Sequence, residues 1–171
     1  MAALDRVADS RKRRGVGAGS YTGGVIRYWL AVAQRDHVRR AVDLGVAQLN
    51  FGRREGLEGM RESDGIAFYS ARETTDGTPV RSFTAVGRVA DDELYRVGGG
   101  DSGWRPWRRR VDYRLDVADA PIRPLLHVLE FTRHSYDWGL QLRKGLLELS
   151  RHDFEVIEQA MRISPGERFL R

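Results

Sequence analysis

The sequence predicts an α+β fold in which five or six mostly antiparallel strands, flanked by short helices, close on themselves as a small barrel. Three observations carry that prediction. Short apolar or alternating runs of strand length recur between turn residues from Ile26 to Val117, the pattern of an antiparallel meander and not of repeated βαβ units. Segments with helical periodicity are few and short, and two are punctuated by a stop at Gly45 and a cap at Ser150. At 171 residues the chain can build one core, burying roughly 70% of the surface its unfolded form exposes.

Residues 1–24 are rich in Ala, Gly and Arg with almost no apolar periodicity, and end in Gly-Ala-Gly-Ser-Tyr-Thr-Gly-Gly. They are expected to be a disordered basic tail, leaving 25–171 as a single domain. Order is expected from Ile26, where Tyr28-Trp29-Leu30-Ala31-Val32-Ala33 is an apolar run of the length of a buried central strand. A helix follows with Val38, Ala41 and Val42 on one face and Gly45 as its stop. Val46 to Asn50 reads as a short strand and Phe51 to Gly56 as a loop. Ile66 to Ser70 and Phe83 to Val89 read as strands joined by a long hairpin turning at Asp76-Gly77, with a third sequential strand near Glu93 to Val97. The glycine run from Gly98 leads to a strand in which Val111, Tyr113, Leu115 and Val117 alternate with charged residues, so that one face is buried. Short helical segments are expected at Ile122 to Leu129 and around Leu140. In the last helix Ser150 is the N-cap, Asp153 holds the capping-box position, and Phe154, Ile157 and Met161 form the apolar stripe.

Composition excludes several classes. The hydrophobic fraction of 41% and charged fraction of 31% are those of a soluble globular chain, and no run approaches the ~18 consecutive apolar residues of a membrane span. With no cysteine, disulfides, thiolate metal sites and thiol nucleophiles are ruled out, and a cytoplasmic location is the default. His37, His127, His134 and His152 have no metal-ligand spacing, so neither metal nor cofactor is expected. The glycine pairs and triplets lack the Gly-Lys-Ser/Thr ending of a phosphate loop. No serine sits in a G-x-S-x-G elbow, and Asp91-Asp92 reads as a strand end. The formal charge is +5, of which five cations (Arg6, Arg11, Lys12, Arg13, Arg14) against Asp5 and Asp9 place +3 in the tail and leave +2 for the domain. Patchiness therefore matters more than net charge.

The densest patch is Trp104-Arg105-Pro106-Trp107-Arg108-Arg109-Arg110. From Trp104 to Arg114 five arginines stand against Asp112 alone, so a charge of +4 lies beside two indoles. Cations for a phosphate backbone next to π-faces for bases are what nucleic-acid binding needs, although Arg-Trp contacts also fasten loops to cores. Phe83 reads as core. Tyr69-Ser70 offers hydroxyl donors beside a ring at a strand end, suited to the edge of a base held in a pocket.

The order of motifs resembles the EVE domain family of the PUA-like superfold. The resemblance lies in Tyr28-Trp29-Leu30, in Asn50-Phe51-Gly52-Arg53 with Leu57 and Met60, and in Asp64 to Ser70. It continues through Phe83 to Val89, Trp104 to Val111, Trp138 to Gly145 and Asp153-Phe154. It implies a PUA-like pseudo-barrel with a pocket for a modified base, such as a methylated or hydroxymethylated cytosine in DNA or a modified base in RNA. Carried over, Trp29, Tyr69, Ser70 and Trp138 become pocket residues, Asn50, Phe51 and Gly52 its rim, and Arg105, Arg108, Arg109 and Arg143 contacts to the nucleic-acid backbone. Phe51-Gly52 stands where the family usually has His-Gly, exchanging a hydrogen bond for stacking. Ser63-Asp64-Gly65 departs from a common Gly-Asp. The function so implied is non-enzymatic reading of a modified base, with an effector protein acting in trans. The alternatives are an RNA-binding module of RNA modification or translation, and a PUA-like hydrolase using Lys144.

Overall fold

The computed structural model describes residues 24–49, 52–98, 101 and 103–162. The expected tail, and Asn50 and Phe51 of the expected pocket rim, lie outside the described residues. The elements in order are β1 (Tyr28–Val32), α1 (Arg35–Leu44), β2 (Val46–Ala47), a 3-10 turn at Leu57–Gly59, β3 (Gly65–Arg72), β4 (Pro79–Arg96) and β5 (Trp107–Tyr113). These are followed by β6 (Ala120–Pro121), a 3-10 turn at Arg123–Leu125, α2 (Glu130–Arg133), α3 (Trp138–Leu142), β7 (Leu146–Leu149) and α4 (Arg151–Met161).

The mixed α+β class holds, with more strands than expected: seven form one sheet in the order β2-β5-β4-β3-β1-β7, and β6 pairs separately with β4. Every pairing is antiparallel except β1 with β3, where Trp29 lies opposite Ile66. Between those two strands the chain crosses through α1, whose C-terminus is stopped by Gly45 at φ 63°, the left-handed conformation that glycine adopts without a Cβ penalty. Successive side chains on β1 and β3 point to opposite faces, and two apolar clusters result. Leu30, Ala67, Tyr69 and Phe83 pack with Phe154 and Ile157 of α4 on one face. Trp29, Ala31, Ile66 and Phe68 pack with Val38 of α1, Leu57, Met60 and Val111 on the other.

The expected closed barrel is not formed, because hydrogen bonding ends at β2 and β7. β2 is two residues long, paired Val46 with Arg110 and Ala47 with Arg109, after which the chain leaves the sheet. What spans the gap are residues 48–49 and 52–60, and they do so with side chains: Leu49, Leu57 and Met60 are buried in the second cluster. Gly56 (φ 86°) approaches Leu146 of β7 so closely that an added Cβ would lie 2.9 Å from it. We refer to this join between β2 and β7 as the seam.

Three expected elements change. Phe83 to Val89 and Glu93 to Val97 are one strand, β4, because β5 pairs with both halves. Val89 lies opposite Val111 and Leu94 opposite Arg109, with residues 90–93 bulging between. Asp91-Asp92 is thus a bulge and not a strand end: Asp91 Oδ1 accepts from the Glu93 amide (2.9 Å) and Asp92 Oδ1 from the Glu62 amide (2.8 Å). β5 begins at Trp107 and stops at Tyr113, and Leu115 is exposed, so the alternation extends towards the N-terminus of the strand. Asp153 does more than its capping-box position implies. Its amide donates to Ser150 Oγ (3.1 Å), but its carboxylate accepts from the Glu130 and Phe131 amides at 2.7 and 3.1 Å, capping α2 from α4. Among the described residues no helix is long and apolar enough to cross a membrane.

Candidate nucleic-acid interface

The seam gathers aromatic rings and cations from parts of the sequence far apart. Gly52 (φ 81°) is pressed against the start of the β5 segment, where an added Cβ would stand 2.5 Å from Pro106 Cβ and 3.3 Å from Trp104. Only glycine fits there, on both conformational and steric grounds. Trp104 is 54% exposed. Trp107 is flanked by the guanidinium groups of Arg54 and Arg96, 5.3 and 5.4 Å from its ring centre. Arg96 Nε also donates to the Arg105 carbonyl (3.1 Å) and Arg108 Nε to Gln48 Oε1 (3.0 Å). The Arg105 side chain is exposed and, among the described residues, forms no ion pair. The same holds for Arg53, Arg143 and Lys144. Many arginines elsewhere are neutralised, as in Arg27–Glu148 (2.6 Å), Arg39–Glu73 (2.6 Å), Arg110–Asp91 (2.9 Å) and Arg151–Glu155 (2.7 Å), whereas Arg61, Arg72, Arg81 and Arg123 are also exposed and form no ion pair among the described residues.

Beyond Leu146 the seam leads back through Lys144 and Arg143 to α3. There an open cleft of about 380 Å³ is lined by Tyr136, Asp137, Trp138, Gly139, Leu140 and Arg143. Trp138 packs one side against the first apolar cluster, which contains Tyr69 and Leu142. Tyr136 is fully exposed and Leu140 half exposed. Gly139 leaves the floor open, since an added Cβ would meet nothing within 4 Å. An indole wall, a bare glycine and an unpaired guanidinium can accommodate a flat ring with an attached phosphate.

The expected site residues divide between these places and the core. Trp138 and Arg143 share the cleft, and Gly52, Arg105 and Arg108 line the seam. Trp29 is a core residue and not an open pocket wall: it is 7% exposed, its Nε1 donates to Asp64 Oδ2 at 3.0 Å, and Arg27 covers its ring at 4.3 Å. Tyr69 and Ser70 do not act as a hydroxyl pair, because strand alternation turns them apart. Ser70 is fully buried with its hydroxyl 2.8 Å from that of Thr84. Tyr69 lies edge-on to Phe83, its phenol pKa raised by burial against a smaller lowering by Arg81. Tyr69 is itself a buried member of the cluster against which Trp138 packs and does not line the cleft, and its hydroxyl forms no hydrogen bond among the described residues.

Arg109 corrects a further expectation. It is 1% exposed, and its Nε and Nη1 donate to the carbonyls of Leu57 (3.1 Å) and Asp91 (3.3 Å), so it offers nothing to a phosphate. The alternation of Trp107, Arg109, Val111 and Tyr113 already carried that signal. Tyr136, Arg54 and Arg96 were not among the expected site residues. Arg54 reaches Trp107 from the loop, and Arg96 lies opposite it in the β4–β5 ladder in a register set by the bulge, for which the sequence has no local mark. Among the described residues no group of His, Asp or Glu side chains is placed to hold a metal ion.

The EVE domain family model matches residues 27–160. A UPF0310 protein of Renibacterium salmoninarum is 42% identical over 137 residues, covering 78% of this chain and 94% of that protein. One from Mycolicibacterium vanbaalenii is 45% identical over 134 residues, covering 78% and 91%. The solution structure of Rpa0253 from Rhodopseudomonas palustris superposes with a TM-score of 0.46 at 12% identity, covering 80% of this chain and 93% of that one. With a domain match spanning β1 to α4 and relatives this similar over nearly their full length, the chain belongs to the EVE domain family and is similar to its UPF0310 proteins.

Proposed function

We propose that this EVE domain is a non-enzymatic nucleic-acid-binding module that takes a modified base into the Trp138 cleft, a modified cytosine in DNA being the first ligand to test. One observation carries the reading. Exposed cations that form no ion pair among the described residues, Arg53, Arg105, Arg143 and Lys144, lie along the seam and the Trp138 cleft, next to the indoles of Trp104 and Trp138. Extruding a base costs a few kcal/mol, least where its pairing is already weak. Stacking at about 1–3 kcal/mol per base, together with backbone contacts, offsets that cost. Within this reading a separate effector protein acts on the reported mark.

The cleft is open, and that feature favours a second reading, an RNA-binding module that stacks unpaired bases without requiring a covalent mark. Fluorescence anisotropy separates the two. Matched DNA and RNA oligonucleotides carrying 5-methylcytosine, 5-hydroxymethylcytosine, N6-methyladenine or no mark are titrated at two salt concentrations. Selective, salt-robust binding of one marked oligonucleotide is expected. Preference for unmarked structured RNA would favour the second reading, and weak, salt-sensitive binding of every probe would leave only a basic surface.

A further inference from the structure

Arg109 is the largest fully buried side chain among the described residues. It forms no ion pair among them, and Asp92, Asp91 and Asp64 act on it only through space, while burial lowers its pKa. An apolar side chain of similar volume would avoid that desolvation. A lysine in its place would lose its proton more readily and present one point instead of a planar fork. The fork spans two carbonyls from separate elements, Leu57 in the 3-10 turn and Asp91 in the β4 bulge. The described residues that follow β2, 48–49 and 52–60, form no strand. Among the described residues, the side-chain hydrogen bonds that tie them to the sheet, apart from those of Arg109, are from Arg108 to Gln48 and from the exposed Arg27 to the Gly59 carbonyl (3.4 Å).

We propose that Arg109 is a positioning residue for the nucleic-acid interface, latching the 57–59 turn to the β4 bulge and so fixing the loop that sets Gly52 against Trp104 and Arg54 against Trp107. The interface half of this inference rests on the reading of the seam given above, and the latch itself does not. Arg109 never meets the ligand, so its loss weakens binding without removing a phosphate contact.

The test compares Arg109→Met with Arg105→Ala in the full chain. Amide hydrogen exchange is measured along the chain, and binding of single-stranded DNA carrying 5-hydroxymethylcytosine is measured across a salt series. In Arg109→Met the amides of 52–60 are expected to exchange about tenfold faster or more while those of β1 and α4 keep their protection. Affinity is expected to fall with the slope of log affinity against log salt unchanged. Arg105→Ala is expected to flatten that slope and leave exchange alone. If Arg109→Met does not fold, Arg109→Lys, which keeps one donor, is expected to show the same localised acceleration in weaker form. Unchanged exchange in 52–60, or equal acceleration in every element, overturns the latch. A wild-type chain that binds none of the modified or plain probes overturns the interface reading instead, and the exchange profile still decides the latch.

Discussion

Trp138 and Tyr69 touch the same apolar cluster but stand differently in it, and their substitutions are expected to separate. Trp138→Ala removes the cleft wall, so discrimination between a marked and a plain oligonucleotide should fall by about tenfold or more, given stacking at ~1–3 kcal/mol. The melting temperature should move little, because Trp138 is only half-buried at the edge of the cluster. Equal loss for both oligonucleotides would exclude a reading role. Tyr69→Phe keeps the ring against Phe83 and removes only an unpartnered hydroxyl. It should therefore leave both stability and discrimination unchanged, and reduced discrimination would show that the hydroxyl reaches the base. Ser63 poses a different problem. It sits at φ 72°, in the left-handed region that glycine adopts without strain. Ser63→Gly is expected to stabilise the chain by up to about 1 kcal/mol, read as a rise in the midpoint of chemical unfolding.

Among the elements, β1, α1 and α4 were legible because each is specified by its own residues. β1 is a short apolar run, α1 ends at a glycine in the left-handed conformation, and α4 has a serine cap and an apolar stripe. β4 was not legible as one strand, because the bulge at 90–93 exists only through what it meets, the Glu62 amide and the guanidinium of Arg110. Capping of α2 by Asp153 was equally hidden, since donor and acceptor are separated by 23 and 22 positions. That cap gives a prediction at this scale. Asp153→Ala should cost about 1–3 kcal/mol, as two part-buried amides lose a buried charged acceptor, whereas Ser150→Ala should cost about 1 kcal/mol as an ordinary N-cap loss. Thermal unfolding of the two variants would rank them, and equal costs would show that α2 does not depend on the carboxylate. Gly87 is a further test of the β4–β5 contact. A Cβ there would lie 2.5 Å from the Asp112 carbonyl oxygen, so Gly87→Ala should destabilise by at least 1–3 kcal/mol, about the cost of overpacking.

For the molecule as a whole, stability is expected to decline as the solution is acidified. Glu148 is held below the ordinary carboxylate range by its hydrogen bonds and charge pairing with Arg27. Because the folded pKa is the lower one, this pair supports the fold above the unfolded pKa, and the support is lost as pH falls through the folded value. Glu148→Gln should therefore flatten the acid limb of a plot of melting temperature against pH. An unchanged limb would mean that solvent screening leaves this exposed pair without effect. The same scale shows why much of the interface escaped the sequence. The basic and aromatic run before β5 was visible as a run, yet one of its arginines turned inward, and its partners Arg54 and Arg96 arrive from other segments.

The seam carries a consequence for how this architecture can change. Two sheet edges are joined there by Leu49, Gly56 and Leu146 and not by a ladder of amides. Residues can accordingly be gained or lost in the connecting segment without shifting the register of any strand. The proposed interface and the pairing of the sheet are in this way placed under separate control, and the join can vary while the pairings around it stay as they are.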